Sequence, residues 1–151
     1  MSKRKHWHNH FMDQAKLVSA MATCDRKHVG AVLVNEHKRI VATGFNGSPA
    51  GLPHCDDVGH LLKEIDGRMS CIRTLHAESN ALDYAGREAR GCMLYTTVIP
   101  CYPCAMRIIN AGIAKVIYGE YYRSQNTGLV EELFSQSSTE LACLGDVWAS
   151  F

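Results

Sequence analysis

The chain has 151 residues, 46% hydrophobic and 21% charged, and its 16 basic and 15 acidic side chains leave a formal charge of +1. That length suits one domain, residues 1–151, with a substantial core, and the balance excludes a disordered or fibrous chain and any large nucleic-acid footprint. No apolar run reaches the roughly 20 residues of a membrane span, and the basic start Met1-Ser2-Lys3-Arg4-Lys5 leads into His6-Trp7-His8-Asn9-His10 rather than an apolar signal segment, so a cytoplasmic protein is expected.

Phe11, Ala15, Val18 and Ala22 recur at helical spacing, with Met21 beside them, and predict an amphipathic helix over residues 8–22. The β-branched runs 29–34 and 40–45, separated by Asn35-Glu36-His37-Lys38-Arg39, predict a hairpin. Asn46-Gly47-Ser48-Pro49 ends it. Residues 50–70 hold Gly, Pro, Asp and His without clean periodicity, which predicts a long loop with a short helix near Leu61-Leu62; loops of that length in compact domains tend to be functional. Ala77, Ala81, Ala85 and Leu82 share one face of a helix over 75–85. A strand over 93–98 ends before Pro100, and Ala105, Ile108, Ile109 and Gly112 mark a further helix. A strand at 116–118, a helix over 129–134 and a weak strand or coil at 141–144 complete the chain. A hairpin followed by alternating helix and strand predicts a three-layer α/β/α sandwich with a mixed central sheet.

Seven Cys and eight His are the anomaly of the composition. An odd Cys count without a signal segment does not fit a disulfide framework, so metal or catalysis is the first reading. Two groups stand at predicted helix starts: His76-Ala77-Glu78 and Pro100-Cys101-Tyr102-Pro103-Cys104. Cys101 and Cys104, three apart in a first helical turn, can direct both sulfurs at one ion, where the positive helix end favours thiolates. The two prolines suit that position. With His76 as a third donor, the set has the three protein ligands and open fourth position of catalytic zinc. Glu78 is the candidate general acid/base beside the open position. Residues i and i+2 of a regular helix point about 200° apart, so periodicity alone does not bring Glu78 to the ion. A CxxC by itself also fits a redox pair or half of a structural zinc site.

Together the two groups match the H-x-E…P-C-x-x-C signature of zinc nucleobase deaminases. The resemblance narrows to the deoxycytidylate (dCMP) deaminases. His76-Ala77-Glu78-Ser79-Asn80-Ala81 resembles their first zinc block, and Pro100-Cys101-x-x-Cys104-Ala105 with Ile108-Ile109 and Ala111-Gly112-Ile113 the second. Cys24-x-Arg26, Val29-Gly30-Ala31 and the stretch Gly44-Phe45-Asn46-Gly47-Ser48-Pro49-Ala50-Gly51 resemble their N-terminal half. The similarity covers about Trp7 to Tyr122.

The resemblance implies a cytidine deaminase-like fold and zinc-dependent hydrolysis of dCMP to dUMP and ammonia, supplying thymidylate synthesis. It implies Glu78 as proton carrier; Asn46 and the Ala77 N–H as contacts to substrate; and Arg26 as a phosphate contact, with a solvated turn arginine as the alternative. It further implies dCTP (with Mg2+) and dTTP as activating and inhibiting effectors, contacted around Gly44, Asn46 and Gly47, and a homohexamer. Some members hold a second, structural zinc; Cys24 and Cys55 match its positions, with Cys71, His28 or His54 to complete it. Three free thiols are the alternative. Cys92 and Cys143 read as strand or core residues, and His6, His8 and His10 as a solvated helix start. A tRNA adenosine deaminase would need a basic surface that the chain lacks, and a non-catalytic zinc module would have no use for Glu78.

Overall fold

The computed structural model describes residues 3–65, 67–121 and 127–147. Helix α1 (Trp7–Ser19) leads into strands β1 (Gly30–Val34) and β2 (Ile40–Phe45). Next come a one-turn helix α2 (Cys55–Val58) and a small hairpin, β3 (Leu62–Ile65) and β4 (Arg68–Cys71). Helix α3 (Ala77–Ala85), strand β5 (Met93–Val98), helix α4 (Tyr102–Asn110), strand β6 (Lys115–Glu120), helix α5 (Thr127–Ser135), strand β7 (Glu140–Cys143) and a last turn α6 (Leu144–Val147) follow. The central sheet runs β2-β1-β5-β6-β7. Its β2/β1 and β1/β5 pairs are antiparallel and its β5/β6 and β6/β7 pairs parallel. The weak C-terminal strand is therefore a true edge strand.

Every residue of β1 is buried, and its side chains alternate between two cores. Ala31 and Leu33 face α3, α4 and α5 together with Leu94, Ile108 and Val116. Val32 and Val34 face α1 through Phe11, Met12 and Ala15, with Tyr95 and Ile117. These are the three layers expected. The β1–β2 turn is held by Asn35, whose side-chain oxygen accepts from the His37 and Arg39 amides at 3.0 Å each. Two close approaches set the layer heights. A Cβ on Gly30 would lie 2.0 Å from the Ala15 carbonyl oxygen, and one on Gly44 would lie 2.2 Å from that of Ala77. Gly44 thus lets β2 run directly over the first turn of α3.

The 50–70 segment departs from the expected loop. Leu61-Leu62 does not begin a helix; Leu62 opens β3, paired Leu62↔Cys71 through Ile65↔Arg68 with β4. Gly67, just before β4, has the positive φ (78°) that tight hairpin turns favour. Asp66 lies outside the described residues, as does Tyr122, where the family resemblance ends. The first helix closes at Ser19, three residues earlier than its periodicity predicts, because Ala20–Ala22 continue as tight turns onto Leu17–Ser19 carbonyls. His8 is half-buried rather than solvated, with Nδ1 2.8 Å from the Tyr95 hydroxyl. Burial and the neighbouring His6, Lys115 and Lys38 hold its pKa below the ordinary value. No helix among the described residues is long and apolar enough to cross a membrane.

Candidate metal centre and its cavity

Helices α3 and α4 aim their N-termini at one point. The chain before α3 is fixed by a two-bond bridge to the end of β2: Gly47 donates to the Leu75 carbonyl at 3.2 Å, and Leu75 to that of Gly47 at 2.9 Å. His76 then takes extended angles (φ −79°, ψ 154°) as the N-cap of α3. Cys101, after Ile99-Pro100 carries the chain off β5, is the N-cap of α4 in the same conformation (φ −72°, ψ 168°). Neither caps its helix with its side chain, so both are left to face each other. His76 Nδ1 lies 3.2 Å from Cys101 Sγ and 3.4 Å from Cys104 Sγ. All three donor atoms fall within 4.8 Å of one another.

Glu78 sits beside them, 4% exposed. The 200° obstacle disappears because His76 is outside the helix, so helical angles do not relate the two residues. Burial pushes the Glu78 carboxyl up from its ordinary pKa, opposed by its own backbone amide and by the Thr96 hydroxyl, which donates to Oε1 at 3.1 Å. Hydrogen bonds with Cys104 and His76 outweigh burial and bring Cys101 down to about 4. Cys101 in turn raises His76 to about 9, and Cys104, bonded to Cys101 and buried, keeps its proton well above the usual thiol range. The donor set itself, one imidazole and two sulfurs at helix N-termini with an acid alongside, fits zinc with an open position.

A cavity of about 720 Å³ opens over this point. It is lined by His76, Ala77, Glu78 and Cys101 and, from the β3–β4 hairpin, by Ile65, Arg68, Met69 and Cys71. Arg26, Lys27 and Arg68 bring positive charge to it. Arg26 Nη2 donates to the Met69 carbonyl at 2.9 Å, tying the Cys24–Arg26 turn to the hairpin. Asn46 lines the cavity, but its amide is engaged by the backbone: it donates to the Lys27 carbonyl at 2.6 Å and accepts from the Val29 amide at 2.7 Å. Gly44 and Gly47, like Asn46, are buried, and their surroundings are helix α3 and the Gly47–Leu75 bridge.

A second group includes Cys71 of the hairpin: Cys24, Cys55, His60 and Cys71 also have their donor atoms within 4.8 Å of one another. Cys55 Sγ is 3.5 Å from Cys71 Sγ, and Cys24 Sγ 3.5 Å from His60 Nδ1. The fourth donor is neither His28, which is exposed and outside the group, nor His54, whose Nδ1 meets the Thr23 hydroxyl at 3.0 Å. Sequence reasoning missed His60; its signal was a histidine five residues after Cys55 in a segment without periodicity. Asp25 Oδ1 holds His60 Nε2 at 2.9 Å and so presents Nδ1 to the sulfurs. Burial raises Cys55 to about 12, whereas at Cys71 backbone hydrogen bonds with Arg73 and Leu61 overcome burial and lower the thiol to about 6. Sequence reasoning also missed Arg68 and Thr96, since nothing in one sequence tells a strand threonine from any other.

Residues 5–120 match the family model for the cytidine and deoxycytidylate deaminase zinc-binding region. The chain belongs to the cytidine and deoxycytidylate deaminase family. It is 41% identical over 138 residues to ComE operon protein 2 of Bacillus subtilis, covering 89% of this chain and 69% of that protein. It is 36% identical to the deoxycytidylate deaminase of Mycobacterium phage D29, covering 76% of this chain and 95% of that one. It spans only 38% of the length of the deoxycytidylate deaminase of Schizosaccharomyces pombe, at 38% identity over 79% of this chain. Among solved structures, the dCMP deaminase of cyanophage S-TIM5 in complex with dCMP and dUMP superposes with a TM-score of 0.75 at 29% identity, covering 95% of this chain and all of that one.

Proposed function

We propose that the protein, as a single domain of 151 residues, hydrolyses dCMP to dUMP and ammonia. The observation that carries this reading is the buried Glu78 carboxyl set in one cavity beside the three donors His76, Cys101 and Cys104. His76, Cys101 and Cys104 would hold a zinc ion, which when bound would make water acidic enough to attack C4 of the ring near neutral pH. Glu78 takes one proton from the attacking water and passes it to ring N3; it then takes the remaining proton of the hydroxyl added at C4 and delivers it to the amino group, which leaves as ammonia as the C4–N bond breaks and C4=O forms. Burial favours this relay, because a raised pKa brings Glu78 nearer to the groups it exchanges protons with. The Ala77 N–H, at the N-terminus of α3, faces the pyrimidine edge, and Asn46 shapes the wall beside it.

A monophosphate needs cations at the far side of the cavity. Arg26 is the first of these, with Arg68 and Lys27 beside it. Cys24, Cys55, His60 and Cys71 form a closed set of four, which suits a structural rather than a catalytic zinc. Activation by dCTP with Mg2+, inhibition by dTTP, a homohexamer and a cytoplasmic location complete the proposal and rest on the family resemblance of residues 44–51 and of the two zinc blocks.

The test is ammonia release from dCMP, deoxycytidine, CMP and an RNA anticodon stem-loop in parallel, each with and without dCTP. Turnover confined to dCMP and raised by dCTP is the expected result. Turnover of nucleosides or RNA instead overturns the substrate, and none at all by zinc-loaded protein overturns the enzyme.

A further inference from the structure

We propose that Thr96 is a positioning residue for deamination, its hydroxyl holding the Glu78 carboxyl in line with the reacting atoms. The inference rests on the reading of Glu78 as proton carrier. Glu78 has three rotatable side-chain bonds and an anchor only two residues past the loop, so its backbone does not settle where the carboxyl points. Almost no solvent reaches it. Thr96, by contrast, is fully buried in the middle of β5, its backbone paired with Ala31 on one side and Tyr118 on the other. A β-branched side chain there has little torsional freedom. The sheet therefore fixes Oγ1, and Oγ1 fixes the carboxyl at 3.1 Å.

The hydroxyl has a second acceptor, the Val98 carbonyl at 3.0 Å, but only one proton. While Glu78 is a carboxylate, its charge draws that proton. Once Glu78 carries a proton during turnover, its own O–H can donate to Oγ1 and the Thr96 proton turns to Val98. The same pair of oxygens stays in contact in both states, and Thr96 neither gains nor loses a proton overall. A valine would fill the same volume and suit a strand equally well, without a buried hydroxyl to satisfy. The hydroxyl is what Glu78 uses.

The experiment compares Thr96→Val, Thr96→Ser, Thr96→Cys and Glu78→Ala, each zinc-loaded, for kcat and KM with dCMP, zinc content and melting temperature. Thr96→Val is expected to lower kcat about 10- to 100-fold, the size of a lost hydrogen bond to a charged group, with KM and zinc content held. Thr96→Ser is expected to recover kcat to within a few-fold. If the valine variant does not fold, Cys against Ser makes the same comparison at constant size, with Cys the slower. Wild-type kcat in Thr96→Val beside an inactive Glu78→Ala overturns the proposal, as does a serine variant as slow as the valine one. An active Glu78→Ala overturns the reading of Glu78 instead.

Discussion

His76 Nδ1 and Cys101 Sγ stand 3.2 Å apart although 25 residues separate them in the chain. The contact exists because each residue is the N-cap of its helix and the two helices begin on the same edge of the α-layer. It also sets the protonation of the metal-free site: Cys101 ionises near pH 4, His76 keeps its proton to about pH 9, and Cys104 stays a thiol. Between those limits zinc must displace one proton from His76 and one from Cys104. Affinity at this site is therefore expected to rise with pH, about 100-fold per unit for two protons, between roughly pH 5 and 8.5. Calorimetry of zinc binding in buffers of different ionisation heat, on a Cys55→Ser background that disables the second group, measures the protons directly. Release of none would sink this account of the site.

Glu78 predicts a trade between activity and stability. Its folded pKa is raised, so its contribution to stability is full at low pH and is lost as pH rises through the folded value. At neutral pH a buried carboxylate without metal is a liability. Glu78→Gln keeps the shape and an acceptor for Thr96 while removing the charge. Deamination is expected to fall by about 10²–10⁴. Metal-free protein is expected to gain of order 1 kcal/mol, which is about 2–4 °C for a domain of this size. Melting curves at pH 7 and pH 4 check the sign, because the gain must shrink on acidification. A destabilised glutamine variant at pH 7 would show that the charge is compensated.

The clustering of the candidate catalytic residues was legible because their spacing is written locally. His76-x-Glu78 and Cys101-x-x-Cys104 each fit in one helical turn, and the apolar periods of β1, β5 and α3 place those turns on one sheet. The hairpin was hidden for a physical reason: Leu62–Ile65 and Arg68–Cys71 bury almost nothing, so they carry no hydrophobic period, and only Asp66-Gly67 marks them. His60 and Thr96 were hidden differently. Each matters through a partner far along the chain, Cys24 at 36 residues and Glu78 at 18, and spacing cannot show such pairings.

Arg26 and Arg68 predict how phosphate is read. Both line the same cavity as Glu78. Arg26→Ala and Arg68→Ala are expected to raise KM for dCMP about 10- to 100-fold, as loss of a charge-assisted bond implies. Activity toward deoxycytidine, which has no phosphate, should hardly change. Arg26→Lys should recover only part of the loss, since an ammonium lacks the planar fork of a guanidinium. The measurement is the ratio of kcat/KM for the two substrates. Equal losses on both would make these arginines props for the hairpin, acting through the Arg26–Met69 bond.

The second cysteine group predicts a link from metal to that same hairpin. A two-stranded hairpin with exposed strands is marginal alone. Among the ties of β4 to the body is Cys71, which reaches Cys55 on α2 at 3.5 Å and closes the set with Cys24 and His60. An ion held by all four joins the turn after α1, α2, the link from α2 to β3, and β4. Removing it is expected to loosen the hairpin without disturbing the sheet. His60→Ala should therefore lose one ion while retaining the other, and raise amide exchange across residues 61–72 while leaving β1 and β5 protected. Asp25→Ala, which removes the acceptor from His60 Nε2, should weaken that ion alone by about 10- to 100-fold. Because Arg68 and Met69 ride on the hairpin, both variants should raise KM for dCMP more than they lower kcat. Unchanged exchange in a His60→Ala protein that has lost its ion would mean that other ties, such as the Arg26–Met69 hydrogen bond, already hold the hairpin in place.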